Sequence, residues 1–226
     1  MAKNKSTNSK PRDWRKAVKK AMHQATLKEA LERYGTKNPA FNYRWEHVTS
    51  VVTLAIKLAK LTGADQDIVE AAAWLHDVRK EAGGDHPKEG AKFARKLLPK
   101  TDFPPEKIEA VAKAIAEHMG LWRGSPFPEE PLTNLESAVL WDADKLAKIG
   151  LTAVFHWVGG DLAKGKPRST QDLLKNGQSV DWHAKTVASM HTEPARRAAQ
   201  ARLQAYNQLW QQLATELNGN DLTSLS

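Results

Sequence analysis

His76 and Asp77 stand side by side at the end of the apolar run Ala71-Ala72-Ala73-Trp74-Leu75. Neighbours on a helix point about 100° apart, so this imidazole and carboxylate can straddle one point beside the helix and hold a cation between them. The small alanines allow neighbouring helices to approach, as a site shared between helices requires. His47 falls in a stripe with Val51, Ala55 and Leu58, His118 follows Val111 and Ile115 at helical spacing, and His86 opens a further segment. Each of these three alone reads as a core histidine bonded to a carbonyl. Together, several helices bring an imidazole or carboxylate to an apolar face, which is costly unless the groups coordinate a metal or find a partner. Asp142 and Asp144, two residues apart, point about 200° from one another, so one of them at most faces such a metal directly.

The elements that must carry these groups are helical. Apolar residues recur at three and four throughout, and no β-branched run alternates long enough for a strand, so the fold class is all-α. The spacing predicts helices from Trp14 to Tyr34, from Tyr43 to Leu61 with Gly63 as its cap, and from Asp65 to near Gly83-Gly84. Pro87 and Pro104-Pro105 open helices of about 87–98 and 105–118. Thr133 with Glu136 reads as a capping box for the helix containing Asp142 and Asp144. Residues 159–180 read as a long surface connection with one short helical turn, and 181–217 as two helices broken at Thr192-Glu193-Pro194. The organisation expected is a basic extension with a helix over 1–40, one domain with a single core over 41–217, and a tail over 218–226.

The chain of 226 residues has no cysteine, which excludes thiolate metal sites, disulfides and cysteine nucleophiles and leaves His and carboxylate to hold any metal. Its apolar fraction of 41% suits a sizeable core, and no apolar run approaches the roughly 18–20 residues of a membrane span. With no apolar segment behind the N-terminus to act as a signal peptide, the expected location is cytoplasmic, with no membrane partner. The net charge of +8 is mostly a tail effect, since residues 1–20 carry eight Lys or Arg against one Asp. Such a tail reads as a solubilising terminus, with nucleic acid or an acidic partner left open. Nothing in the pattern specifies an oligomeric state.

The order His47, then His76-Asp77, then the Asp of Ala143-Asp144-Lys145-Leu146 resembles the H...HD...D signature of the HD superfamily of metal-dependent phosphohydrolases. The flanks agree: A-A-W-L-H-D-V-R-K is similar to the superfamily's A-x-L-H-D-I-x-K, and W-D-A-D-K-L to its A-D-x-L. The resemblance implies an HD-domain helical bundle with the metal site between helices, and metal ligands at His47, His76, Asp77 and Asp144. His86-Pro87 and Ile115-Ala116-Glu117-His118 are similar to the extra histidines of HD proteins that hold a second metal ion or contact substrate phosphate. Residues 181–202 resemble the last helices of a small bacterial group of YpgQ- and YedJ-type HD proteins, some of which are nucleoside triphosphate pyrophosphohydrolases. Together the matches cover about residues 43–217. That group continues its last motif as D-A-D-R-L-D with an arginine shortly after, where this chain has Ala147 and His156. An imidazole and an arginine fork recognise phosphate differently, so the departure bears on substrate choice.

The implied chemistry is attack of metal-activated water on a phosphoester or phosphoanhydride, with a small phosphorylated substrate, a nucleotide foremost. Imidazole and carboxylate suit Mn, Fe, Co, Ni or Zn, and Mg less well, with one ion or, if His86 and His118 also bind, two. Lys80 follows Asp77 by three residues. On spacing alone it is as well a snorkelling surface lysine, and the similarity to H-D-I-x-K assigns it, with Asp77, to catalysis and phosphate binding. Arg79, Lys145 and Arg123 are further phosphate-binding candidates, and Trp122, Trp141 and Trp157 are core residues or nucleobase stackers. A regulatory HD domain that binds metal or nucleotide without turnover would carry the same ligands.

Overall fold

The computed structural model describes residues 12–121 and 130–222. Over these residues the chain forms ten α-helices and no strand. They are α1 (Trp14–Tyr34), α2 (Tyr43–Thr62), α3 (Gln66–Leu75), α4 (His86–Leu97), α5 (Ile108–Ala116), α6 (Leu135–Leu146), α7 (Leu151–Ala163), α8 (Thr170–Ser179), α9 (Trp182–Ala188) and α10 (Glu193–Leu217). None is long and apolar enough to cross a membrane. Trp122, Arg123, residues 1–11 of the basic tail and residues 223–226 lie outside the described residues.

The helix starts follow from side chains that satisfy the free N–H groups of a first turn. Asp13 accepts from Lys16 N at 3.0 Å, Asn42 from Trp45 N at 3.1 Å, and Asp65 from Asp67 N and Ile68 N at 3.0 and 3.2 Å. α2 ends as its spacing predicts, with Gly63 at φ +79°, in the left-handed region that only glycine enters at no cost.

Three expectations are corrected. The expected third helix stops at Leu75, eight residues short of Gly83. His76 Nδ1 lies 2.7 Å from the Ala73 carbonyl, the acceptor that Asp77 N–H would need to continue the helix. The chain then proceeds by tighter bonds, Val78 N to Leu75 O and Lys80 N to Asp77 O, into a short 3₁₀ segment over Lys80–Asp85. α6 is capped by Asn134, which accepts from Ser137 N at 2.9 Å, not by a Thr133–Glu136 box; Glu136 instead accepts from Asp65 N at 3.3 Å. The segment 159–180 is no loop: α7 runs through Gly159-Gly160, and α8 fills ten residues of it. A smaller apolar cluster of Val154, Tyr206 and Trp210 accompanies the main core.

The main core joins α1 to α6 and the start of α10. α1, in the stretch expected as an extension, contributes Trp14, Val18 and Met22 to it. α2 packs against α3 and α6, and α5 against α3, α4 and α6. Close approach depends on small residues: Ala71, Ala72, Ala73 and Ala143 are fully buried. A Cβ on Gly90 of α4 would meet Ile115 Cγ2 at 3.1 Å and the Leu75 carbonyl at 3.4 Å. That proximity brings the histidine at the start of α4 against the end of α3.

Candidate metal centre

Six of the sequence-selected residues converge. His47, His76, Asp77, His86, His118 and Asp144 are each no more than 2% exposed. They form two groups of three whose ligand atoms lie within 4.8 Å of one another: His47, His76 and Asp144 in one, and Asp77, His86 and His118 in the other.

Asp77 links the two. Its Oδ2 faces His76 Nε2 at 3.6 Å and His47 Nε2 at 3.8 Å, while Oδ1 faces His86 Nε2 at 3.1 Å and His118 Nε2 at 3.8 Å. In the first group Asp144 Oδ1 stands 3.0 Å from His47 Nε2 and 3.7 Å from His76 Nε2. These separations suit ligands held about 2.0–2.2 Å from a shared centre.

Three of the rings are aimed by the same local device. The Nδ1 atoms of His76, His86 and His118 lie 2.7, 2.6 and 2.6 Å from the carbonyls of Ala73, Gly83 and Ile115, each three residues back. A carbonyl only accepts, so Nδ1 carries the proton and the bare Nε2 of each ring points inward. His76 Nε2 is buried without a hydrogen-bond partner, and His47 Nε2 is buried facing Asp144 Oδ1. Burial pushes His76 down to about 3 and lowers His47 and His118 as well, so these imidazoles are neutral, the form that binds metal. Buried bare nitrogens beside two carboxylates fit a divalent transition metal.

The carboxylates are ionised. Burial acts against the charge of Asp77, but its polar and cationic surroundings, His76, His118, His86 and Arg44, outweigh it and hold the group well below its usual range. For Asp144 burial is likewise outweighed, by Lys145 and Lys148.

Around the groups lies a ring of cations. Lys80 Nζ is 3.2 Å from Asp77 Oδ1 and 3.1 Å from His86 Nε2. Lys145 Nζ is 2.8 Å from Asp144 Oδ2 and donates to the His118 carbonyl at 3.1 Å. Arg79 lays its guanidinium 4.6 Å over the Phe93 ring and 3.4 Å from Glu81. Trp141 is buried and donates its indole N–H to the Gly120 carbonyl, a structural position. Asp142 points away to the backbone before α10.

Two cations escaped the sequence reading. Arg44 is buried between Asp77 and Glu29 of α1, bonded to Asp77 and to Glu29 Oε2 at 2.8 Å. Lys148 Nζ is 2.7 Å from Asp144 Oδ1. Lys148 sits four residues after Asp144, the spacing of a helical ion pair, so a signal for it was present; Arg44 has none, because both partners are remote in sequence.

Residues 44–149 match the HD domain family model. Among curated proteins, 62 residues are 39% identical to the bifunctional uridylyltransferase/uridylyl-removing enzyme of Bradyrhizobium diazoefficiens. That alignment takes in 27% of this chain and spans 7% of the length of the relative. Among solved structures the fold is similar to an HD-superfamily hydrolase from Bacillus thuringiensis, with a TM-score of 0.60 at 22% identity, covering 91% of this chain and 98% of that one. It is also similar to YpgQ of Bacillus subtilis in complex with ADP, with a TM-score of 0.59 at 21% identity, covering 89% and 98%.

Proposed function

Because this chain carries an HD domain over residues 44–149, we propose that it is a metal-dependent phosphohydrolase acting on a phosphoester or phosphoanhydride, foremost of a nucleotide. The observation that carries this reading is the pair of buried His/Asp groups joined through Asp77 and bordered by Lys80, Lys145 and Lys148.

His47, His76, Asp77 and Asp144 would hold one divalent ion, and Asp77 with His86 and His118 a second. Mn, Fe, Co, Ni or Zn suits these donors better than Mg. When bound, such an ion supplies a Lewis acid and a water of lowered pKa. The chain's own residues do the rest. Asp77 spans the two groups and is kept ionised by its neighbours. Lys80, one-third exposed at the rim, offers an ammonium to a non-bridging phosphate oxygen, and Lys145 and Lys148 add positive charge on the Asp144 side. Concentrated positive potential favours an anionic substrate and the charge that develops during phosphoryl transfer. The YpgQ complex with ADP supports a nucleotide as the substrate class.

The test is a hydrolysis screen of nucleotides and generic phosphoesters with Mn, Co, Ni, Fe, Zn and Mg in turn. Turnover that depends on the metal and disappears in His76→Ala is expected. Nucleotide binding without turnover under any metal would replace this reading with a regulatory HD domain, an alternative favoured by Ala147 and His156 at two positions where the resembled group carries Asp and Arg.

A further inference from the structure

α1 lies outside the residues that match the HD domain model, yet one of its side chains is tied to the metal centre. Val18, Met22, Thr26 and Ala30 are buried along α1, which packs on α2 and α3. Glu29 stands at the edge of that buried stripe, 20% exposed, and Arg44, in the first turn of α2 and 7% exposed, lies between it and Asp77.

The guanidinium is divided between the two carboxylates. Its Nε donates to Glu29 Oε2 at 2.8 Å and its Nη2 to Glu29 Oε1 at 3.4 Å, while Nη1 donates to Asp77 Oδ2. Glu29 Oε1 is itself held by Arg33 Nη2 at 3.0 Å, one turn along α1. Asp77 is therefore reached by a single guanidinium donor at one oxygen. Its other oxygen, Oδ1, faces His86 Nε2 and His118 Nε2 at 3.1 and 3.8 Å. Lys80 also reaches Oδ1, but from the rim and on a stem one-third exposed that has room to swing aside. Arg44 is buried and has no such room.

A buried ion pair adds little stability over apolar side chains of its size, so one set against a candidate metal ligand calls for another role. An arginine fork left to itself takes a carboxylate by both oxygens. On Asp77 that pairing would draw Oδ1 away from His86 and His118 and dismantle the second group.

We propose that Glu29 is a positioning residue for the metal centre: by occupying the Nε and Nη2 edge of Arg44 it confines the guanidinium to Asp77 Oδ2 and keeps Oδ1 for a divalent transition-metal ion held with His86 and His118. The inference rests on the two-ion reading of the site and not on turnover. It makes α1 part of the site.

The test is calorimetric titration of the chelator-stripped full chain with Mn²⁺, in the parent, Glu29→Gln, Arg44→Met and the double variant Glu29→Gln/Arg44→Met. His118→Ala identifies which binding step belongs to the second group. In Glu29→Gln that step should weaken at least tenfold while the other stays within threefold of the parent. The double variant has no guanidinium left to turn, so its second step should recover at least fivefold over Glu29→Gln and match Arg44→Met within threefold. A merely structural Glu29 would make the double variant no better than Glu29→Gln. Glutamine keeps the shape of a partly exposed side chain, so the split between the two steps in Glu29→Gln decides the matter if the Arg44 variants do not fold. Two unchanged steps in Glu29→Gln, equal weakening of both, or a folded double variant without recovery would overturn the proposal and leave the two-ion site standing. A parent that takes up one ion or none would overturn both. The expected pattern in a chain that hydrolyses no phosphoester under any metal would keep the role of Glu29 and sink the phosphohydrolase reading.

Discussion

Asp142 and Asp144 stand two residues apart on α6 and serve opposite sides of it. Asp142 accepts from His191 N and Thr192 N at 2.8 Å and from Thr192 Oγ1 at 2.7 Å, fastening α6 to the start of α10. Asp144 faces His47, Lys145 and Lys148. Asp144→Asn should therefore lose bound metal and activity, whereas Asp142→Asn should keep the metal and lose about 1–3 kcal/mol of stability through weakened buried hydrogen bonds. Elemental analysis and denaturant unfolding of both variants check this, and the opposite ranking in metal content would reverse the assignment.

The shared position of Asp77 makes a prediction about stoichiometry. Protein loaded with Mn or Co should carry two ions per chain, falling to one in His86→Ala or His118→Ala. Asp77→Ala should lose more than either, since its two oxygens face different groups. A content of one ion in the parent, unaffected by His86→Ala and His118→Ala, would reduce those histidines to phosphate contacts.

Much of this was readable in the sequence where the signal is local. α1 and α2 follow from apolar spacing and a glycine stop, and the six clustered His and Asp follow from their placement on apolar faces and from motif flanks. What failed was decided by tertiary contacts or by side-chain competition for the backbone. The end of α3 depends on His76 taking a carbonyl from the helix ladder. α7 continues through Gly159 because the bare glycine lets the Phe41 ring pack where a Cβ would be 3.0 Å away. The start of α8 was legible but unread: Ser169 followed by Asp172 is a capping signature, and Ser169 Oγ accepts from Asp172 N at 3.1 Å.

In the proposed reaction Lys80 acts on substrate and does not hold the fold. It is partly exposed and its bonds run to Asp77 and His86. Lys80→Ala should retain metal and lose kcat/KM by the equivalent of roughly 2–4 kcal/mol, as for other electrostatic contacts to a charged transition state. Metal loss in that variant would make Lys80 a structural residue.

Arg44 is expected to matter for stability as well as for the site. It is the buried cation between Glu29 and Asp77, and removing one partner of a buried pair leaves uncompensated charge. Arg44→Ala should cost about 3–5 kcal/mol, read as a lower denaturant midpoint, and Glu29→Gln should cost less because Asp77 keeps its guanidinium. Arg44→Ala with parent stability would show the pair to be dispensable.

His183 lies outside the metal groups and offers a clean pH test. Burial lowers it from 6.5 to about 4. Above pH 6.5 the ring is neutral in both the folded and unfolded chain and contributes no pH dependence. Between 6.5 and 4 the unfolded chain takes up a proton that the folded chain does not, so folding stability falls as pH falls through that window. His47, His76 and His118 are lowered in the same direction and will steepen the acid limb of any variant that retains them. Comparing the parent with His183→Gln cancels their part. The denaturant midpoint of the parent should drop more between pH 7 and pH 4.5 than that of His183→Gln, so that the two curves converge on acidification. Parallel curves across that range would show that His183 takes up its proton equally in the folded and unfolded chain, and that its ring is not sealed from water.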